Sequence, residues 1–291
     1  MFATAVIVFR EVLEAALLIG IIAAATRSVP GRGRWMAAGM FAGLAGAGLV
    51  ALATDRIADM ASGIGTDLFN AGVLGLAVVM LAWHNLWMAT HGAALAANAR
   101  GLGKDVRDGR RECSILLIVV GLAVLREGSE TVLFLYGVAA SEGGGSVTML
   151  AGGVAGVAAG IAAGYALYAG LLRIPLRWFF TATGVLVLFV AAGMASQAAR
   201  FLIQADLLPS LATPLWDTSA VLPQASIAGT LLHSLIGYEA RPAGMQMLFY
   251  VLVLITIAAG MKWVNKGGSQ SAGKQTATRR ATPQNEGANT P

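Results

Sequence analysis

Residues 9–15 read F-R-E-V-L-E-A and residues 125–131 read L-R-E-G-S-E-T. Each stretch is an Arg followed by two Glu three residues apart, set inside a long apolar run. On a helix, Glu11 and Glu14 share one face a single turn apart, as do Glu127 and Glu130. Arg10 stands four residues before Glu14, and Arg126 four before Glu130, so each Arg can pair within its own motif. An ionised side chain at the bilayer centre costs roughly 2.5–3.5 kcal/mol. Six of them must pair with one another, bind an ion or line water.

The surroundings make the lipid setting plain. Of 291 residues, 57% are hydrophobic and 12% charged, against about 25% charged in soluble domains. The single cysteine, Cys113, excludes a disulfide framework and a thiolate metal cluster. Residues 1–9 hold no charged side chain, and Arg10, Glu11 and Glu14 interrupt the apolar run, so the N-terminus reads as a retained span rather than a cleaved signal.

A span takes about 20 mostly apolar residues. Seven runs qualify, at roughly 2–25, 35–53, 70–89, 113–139, 147–172, 178–199 and 245–263. With the N-terminus outside, fifteen of the twenty Lys and Arg residues fall in cytoplasmic segments and three outside, the other two being Arg10 and Arg126. That bias supports both the count and the direction. It also explains the net charge of +5 without a nucleic-acid partner. Seven acids, among them Asp217 and Glu239, sit in the outer segments. They read as solvated surface, with a weak funnel for cations as the alternative.

The two charged helices are the first and fourth spans, so they run antiparallel. The second span carries Gly39, Gly43, Gly46 and Gly48, and the fifth Gly152, Gly156, Gly160 and Gly164. Such stripes let helix backbones approach closely in lipid. The order of charged, glycine-rich and apolar helix then repeats. The expected fold is all-α: a polytopic membrane protein of seven transmembrane helices, a 3+3 inverted repeat plus a seventh helix. Residues 1–263 form the helical domain, with one repeat over about 1–90, the other over about 113–199 and the last span at about 245–263. Residues 264–291, rich in Gly, Ser, Thr, Asn and Gln, read as a disordered cytoplasmic tail.

Both motifs lie near mid-membrane. Arg10 is about 12 Å into its span and Glu14 about 18 Å, and Arg126 is central in the fourth span. Buried Arg–Glu pairs that only fix helix register would use one Glu per motif and leave a second. Four Glu and two Arg sum to −2, an excess that favours a cation, and oxygen ligands suit hard cations rather than copper(I) or zinc. A carboxylate-metal enzyme fits worse. Di-iron bundles use Glu-x-x-His, whereas Leu17 and Leu133 stand three residues after Glu14 and Glu130.

Other polar residues are secondary. His84 and Asn85 lie in the third span and His91 at its end; for His84 a helix–helix hydrogen bond weighs more than an accessory ligand. The eleven Met residues are scattered and read as packing. The long connection 200–244 holds W-D-T-S at 216–219 and an apolar helical face of Leu231, Leu232, Leu235 and Ile236, which suggests an interfacial or re-entrant helix. Asp217, His233 and Glu239 are candidates for an outer entry site, with solvated loop residues the stronger reading.

The doubled R-E-x-x-E in spans one and four resembles the high-affinity ferric iron permeases, a family that includes fungal oxidase-linked and bacterial EfeU-type members. W-D-T-S and the L-L-H, G-Y, R-P and Gln246 segments before the last span resemble the bacterial members, so the likeness covers about residues 1–263. It implies that Glu11, Glu14, Glu127 and Glu130 are the metal ligands, with Arg10 and Arg126 as their ion-pair partners. It further implies Fe³⁺ as transported substrate with no permanently bound cofactor, and uptake across the bacterial inner membrane by a rocking of one three-helix repeat against the other. Many members read R-E-G-L-E; here Val12-Leu13 and Gly128-Ser129 fill the variable positions. Lead-uptake relatives share the motif, so another hard or divalent cation remains an alternative, as does a non-transporting membrane subunit. Nothing in the chain resembles the extracellular domains of some members, so a ferroxidase or periplasmic iron-binding partner is expected to be a separate protein. The sequence sets no oligomeric state.

Overall fold

The computed structural model describes residues 1–61, 65–142, 146–169 and 176–281. Among these residues there is helix and turn but no strand. The order is α1 (Phe2–Ala25), α2 (Arg32–Ala61), α3 (Thr66–Arg107), α4 (Ile115–Glu142), α5 (Ser146–Tyr168), α6 (Leu176–Gln204), α7 (Ile227–Ile236) and α8 (Gly244–Ala281). Five helices hold a segment long and apolar enough to cross a membrane: Arg32–Arg56, Thr66–Met88, Val147–Tyr168, Ala182–Gln204 and Gly244–Lys262. The chain is an integral membrane protein by that measure. Helices α1 and α4 have the length, at 24 and 28 residues. They fall outside this set because each carries an Arg and two Glu near its middle.

Two helices run past the sequence reading, while α7 is the short helix expected from the apolar face of Leu231, Leu232, Leu235 and Ile236. Helix α3 does not stop at the membrane edge near residue 89 but continues to Arg107. Its extension is rich in alanine, a strong helix former, and Ala99 and Val106 are buried against Ile22, Met36, Leu116 and Val120. Helix α8 likewise runs past residue 263 to Ala281, through part of the stretch that reads as a disordered tail. Extending a helix already nucleated in an apolar span adds one hydrogen bond per residue fixed. Residues 282–291 of that tail lie outside the described residues. Within the long connection, α7 is started by Ser226, whose side chain accepts from the Gly229 amide at 2.9 Å. It ends at Gly237, whose φ of 69° is the left-handed conformation that favours glycine. At this turn the backbone of Gly237 packs on Gly193 of α6, where any side chain would collide.

Helix α1 packs chiefly on α5, and α2 chiefly on α4. The glycine stripes make both contacts, and they do so in the same way. A Cβ on Gly156 would meet Ala5 O at 2.6 Å, Val8 Cβ at 2.9 Å and Phe9 N at 3.0 Å. A Cβ on Gly43 would meet Gly121 O at 2.7 Å, Val124 Cβ at 2.7 Å and Leu125 N at 3.0 Å. These are the same three atoms at the same spacing along α1 and α4, as Arg10 corresponds to Arg126.

Two apolar clusters fill the bundle. One gathers Ala3, Ile7, Leu74, Leu81, Phe134, Val138 and the Val187–Ala198 stretch of α6, at the end where α1 begins and α4 ends. The other gathers Ile22, Met36, Ala99, Val106, Leu116 and Val120, at the end where α1 finishes and α4 starts. Helices α1 and α4 therefore run in opposite directions, and both motifs lie between the clusters.

Candidate metal centre

Both motifs turn inward. Arg10, Glu11, Glu14 and Glu127 are 1–4% exposed. The i, i+4 spacing closes the same ion pair in each helix. Arg10 Nε donates to Glu14 Oε1 at 3.0 Å, and Arg126 Nε donates to Glu130 Oε1 at 3.0 Å. Arg126 Nε also stands 4.0 Å from Glu127. Each Arg thus holds one carboxylate of its own helix and leaves carboxylate oxygens facing the other helix.

Oxygens of Glu11, Glu127 and Glu130 converge, while Glu14 stands outside the group. One ligand atom each from Glu11, Glu127, Glu130 and His84 all lie within 4.8 Å of one another. Ligands on opposite sides of an iron-sized ion at about 2.0–2.3 Å stand roughly 4–4.6 Å apart, so only a slight tightening separates this group from a coordination shell. Both oxygens of Glu11 and one each of Glu14, Glu127 and Glu130 are buried with no protein partner beyond the His84 ring. Buried carboxylate oxygens so poorly partnered are costly. A multivalent cation would satisfy them together.

Helix α3 supplies the fourth member. His84 is 3% exposed, with Nε2 at 3.5 Å from Glu14 and 3.8 Å from Glu11. Its Nδ1 lies against Glu130. The next residue, Asn85, ties α3 to α6 by donating to Gly184 O at 3.0 Å. The sequence reading weighs His84 chiefly as a helix–helix contact, because a lone histidine has no periodicity to mark it; the structure sets it beside the carboxylates of both motif helices. Its depth in the third span, level with the motifs, was the available signal.

The two motifs are not equally enclosed. The Arg10 side chain is 3% exposed and that of Arg126 35%. Arg126 and Glu130 border a cavity of ≈ 500 Å³ lined also by Val79, Met80, Trp83, His84 and Trp87. The guanidinium lies over the Trp87 ring, 4.2 Å from its centroid. An aromatic face of this kind supports a cation where water is scarce. Trp87 was not singled out in the sequence.

Of the proposed entry residues, two come together. His233 lies 3.8 Å from Glu239, and Glu239 accepts from Gln197 of α6 at 3.2 Å. A small cavity lined by Ala3, Ser141, Gln197, His233 and Ser234 adjoins them, above the cluster that contains Ile7 and Phe134. Asp217 does not join. It pairs with Arg241 at 2.9 Å and accepts from the Ser219 hydroxyl and amide.

The Ser219 hydroxyl, followed by Arg241, holds the Asp217 carboxyl down to about 2. Because the folded value is depressed, the stability this pairing adds is fully present above the ordinary carboxylate range. It is lost only as pH falls through about 2. Loop 205–226 should therefore show the same amide protection at pH 8 and pH 5 once the intrinsic pH dependence of exchange is divided out, and Asp217→Asn should change uptake by less than about twofold, as expected of an exposed pair. A large uptake defect in that variant would return Asp217 to the entry route.

The profile of the iron permease FTR1 family matches residues 1–265. The chain is similar to the ferrous iron permease EfeU of Yersinia pestis, with 31% identity over 260 residues, 88% of this chain and 91% of the relative. It is also similar to the ferrous iron permease EfeU of Escherichia coli O157:H7 and of Shigella sonnei. Each is 32% identical over 260 residues, covering 88% of this chain and 93% of the relative. No solved structure gives a significant match.

Proposed function

We propose, from the premise that this chain belongs to the iron permease FTR1 family and so carries iron across a membrane rather than acting as an enzyme, that the ion crosses at the buried carboxylates of α1 and α4. One observation carries the reading: buried carboxylate oxygens from two antiparallel helices, with no partner beyond the His84 ring, meet between two apolar clusters. Glu11, Glu14, Glu127 and Glu130 would replace the hydration shell of the ion. Arg10 and Arg126 would limit carboxylate repulsion before it enters and after it leaves.

In this reading α1 and α4 cross the bilayer with the five apolar helices, which makes seven spans with the N-terminus outside and the C-terminus in the cytoplasm of an inner membrane. The matched glycine contacts of α1 with α5 and α4 with α2 support an inverted repeat. Access from the outer side would pass Glu239, His233 and Gln197 and then the plug formed by Ile7, Leu81 and Phe134. The inner cluster of Ile22, Leu116 and Val120 would close the other side. Opening one cluster at a time is alternating access.

The substrate is Fe³⁺ in the reading based on the ferric permeases, whereas the relatives matched here are named ferrous. A −2 site of oxygen ligands attracts either. A separate ferroxidase or periplasmic iron-binding protein would supply the ferric ion. The test is flux in liposomes that hold the purified protein and a trapped iron-sensitive dye, with Fe³⁺ chelate and Fe²⁺ offered in turn. Flux by the protein alone supports a carrier and identifies the valence; absence of flux with both ions defeats the reading. Glu239→Gln should lower the rate by about three- to tenfold without abolishing it, since an entry group raises local ion concentration but does not hold the ion in transit.

A further inference from the structure

We infer that His84 is a metal ligand in its own right, a nitrogen donor from α3 that sets which cations the carboxylate cage accepts. This rests on the carrier site proposed above and names what selects its substrate. The ring stands between the two motif helices, and both of its nitrogens are turned to carboxylates. Nε2 faces Glu14 and Glu11 of α1, and Nδ1 faces Glu130 of α4.

A histidine that served only to join two helices needs one acceptor on its neighbour; His84 faces three carboxylates from both motif helices at once, and Asn85, one residue on, already joins α3 to α6 through the Gly184 carbonyl. The ring is also held in place. Phe134 packs edge-on against it, with centroids 6.2 Å apart and planes at 83°, and Phe134 is itself fully buried.

Four carboxylates without a nitrogen make a site for magnesium, calcium or manganese. Those ions are abundant, and a carrier for scarce iron must reject them. Imidazole suits iron and its neighbours in the transition series and adds little for calcium or magnesium. One histidine in the shell therefore moves the preference toward iron while the carboxylates keep the charge. The arrangement is asymmetric, for α3 contributes the only histidine of the ligand group. The half-open cavity beside Arg126 lies on the same side of the site.

Mn²⁺ bound to the purified full-length protein reports the donor directly through pulsed electron paramagnetic resonance. Coupling to imidazole nitrogen is expected in the parent protein and in His91→Asn and His233→Asn, and its loss in His84→Gln. In liposomes, half-inhibition of iron flux by Ca²⁺ should need about tenfold less Ca²⁺ in His84→Gln than in the parent. Retained Mn²⁺ binding and an unchanged size-exclusion profile show that the variant is folded. If it does not fold, His84→Asn takes its place. The inference is overturned if the parent binds Mn²⁺ with no nitrogen coupling, if coupling survives in the His84 variants, or if their competition by Ca²⁺ is unchanged. If the parent binds no metal, or if Glu127→Gln binds it equally well, the carrier site itself fails, which is a distinguishable result.

Discussion

Glu127→Gln is expected to reduce iron uptake by at least about a hundredfold while the protein still accumulates in the membrane. The substitution keeps the size of the side chain and removes one negative charge and one anionic ligand. Loss of groups that merely support a ligand commonly costs 10–100-fold in metal affinity, so loss of the ligand itself should cost more. Glu127 is the sharpest test among the four. It is 4% exposed, its Arg126 contact is long at 4.0 Å, and one of its oxygens makes no hydrogen bond. A structural carboxylate in that position would be relieved by neutralisation, so the stability of the variant should hold or rise while transport disappears. Glu14 and Glu130 behave differently, since each accepts a 3.0 Å hydrogen bond from an Arg. Glu14→Ala and Glu130→Ala should abolish uptake, and each removes the carboxylate from an Arg: buried Arg10 in the first case, half-exposed Arg126 in the second. Normal uptake by Glu127→Gln together with normal uptake by these two would end the assignment. The comparison is made with radioactive iron in cells lacking other uptake routes, normalised to membrane protein level.

The second large effect concerns packing. Gly156→Leu is expected to destabilise the bundle by about 3 kcal/mol, at the upper end of the range for overpacking. On the usual scaling that lowers the melting temperature by on the order of 10 °C. Two of the three atoms that a Cβ would meet there belong to the α1 backbone, at 2.6 and 3.0 Å. Backbone inside a helix cannot step aside without losing hydrogen bonds. Gly43→Leu should do the same damage, because the atoms it meets on α4 are the counterparts of those on α1. Gly153→Leu and Gly48→Leu are the controls, since nothing lies within 4 Å of a Cβ at either position. Fluorescence-detected size exclusion after heating separates the pairs. Equal melting of Gly156→Leu and Gly153→Leu would mean that α1 and α5 do not meet as described.

Much of this was legible before any coordinates. The first helix ends where its apolar run ends, and the motif was readable because two copies of an expensive pattern rarely coincide by chance. What escaped the sequence reading has physical causes. A glycine stripe announces that a helix packs tightly but not against which neighbour, so the crossing of α1 with α5 could not be read from the stripes. The bilayer sets a minimum length for a helix and no maximum. The continuation of α3 to Arg107 therefore depends on alanine propensity and on Ile22 and Leu116, which are distant in sequence. Asp217 finds Arg241 only after the 200–244 connection has folded back on itself. His84 is one residue in a helix of 42, and its place beside the carboxylates appears only when α1 and α4 are set on either side of it.

The glycine contacts bear on what can move as a body. Each motif helix is locked, backbone to backbone, to a helix from the opposite half of the chain: α1 to α5, and α4 to α2. The two sequence halves are thus interlaced, and neither can swing as a block without tearing a seam that has no side chains to spare. If the proposed carrier site is correct, the mixed couples are the bodies free to turn, each with its own arginine and glutamates, and turning one against the other would part the carboxylates at the centre while leaving both seams whole.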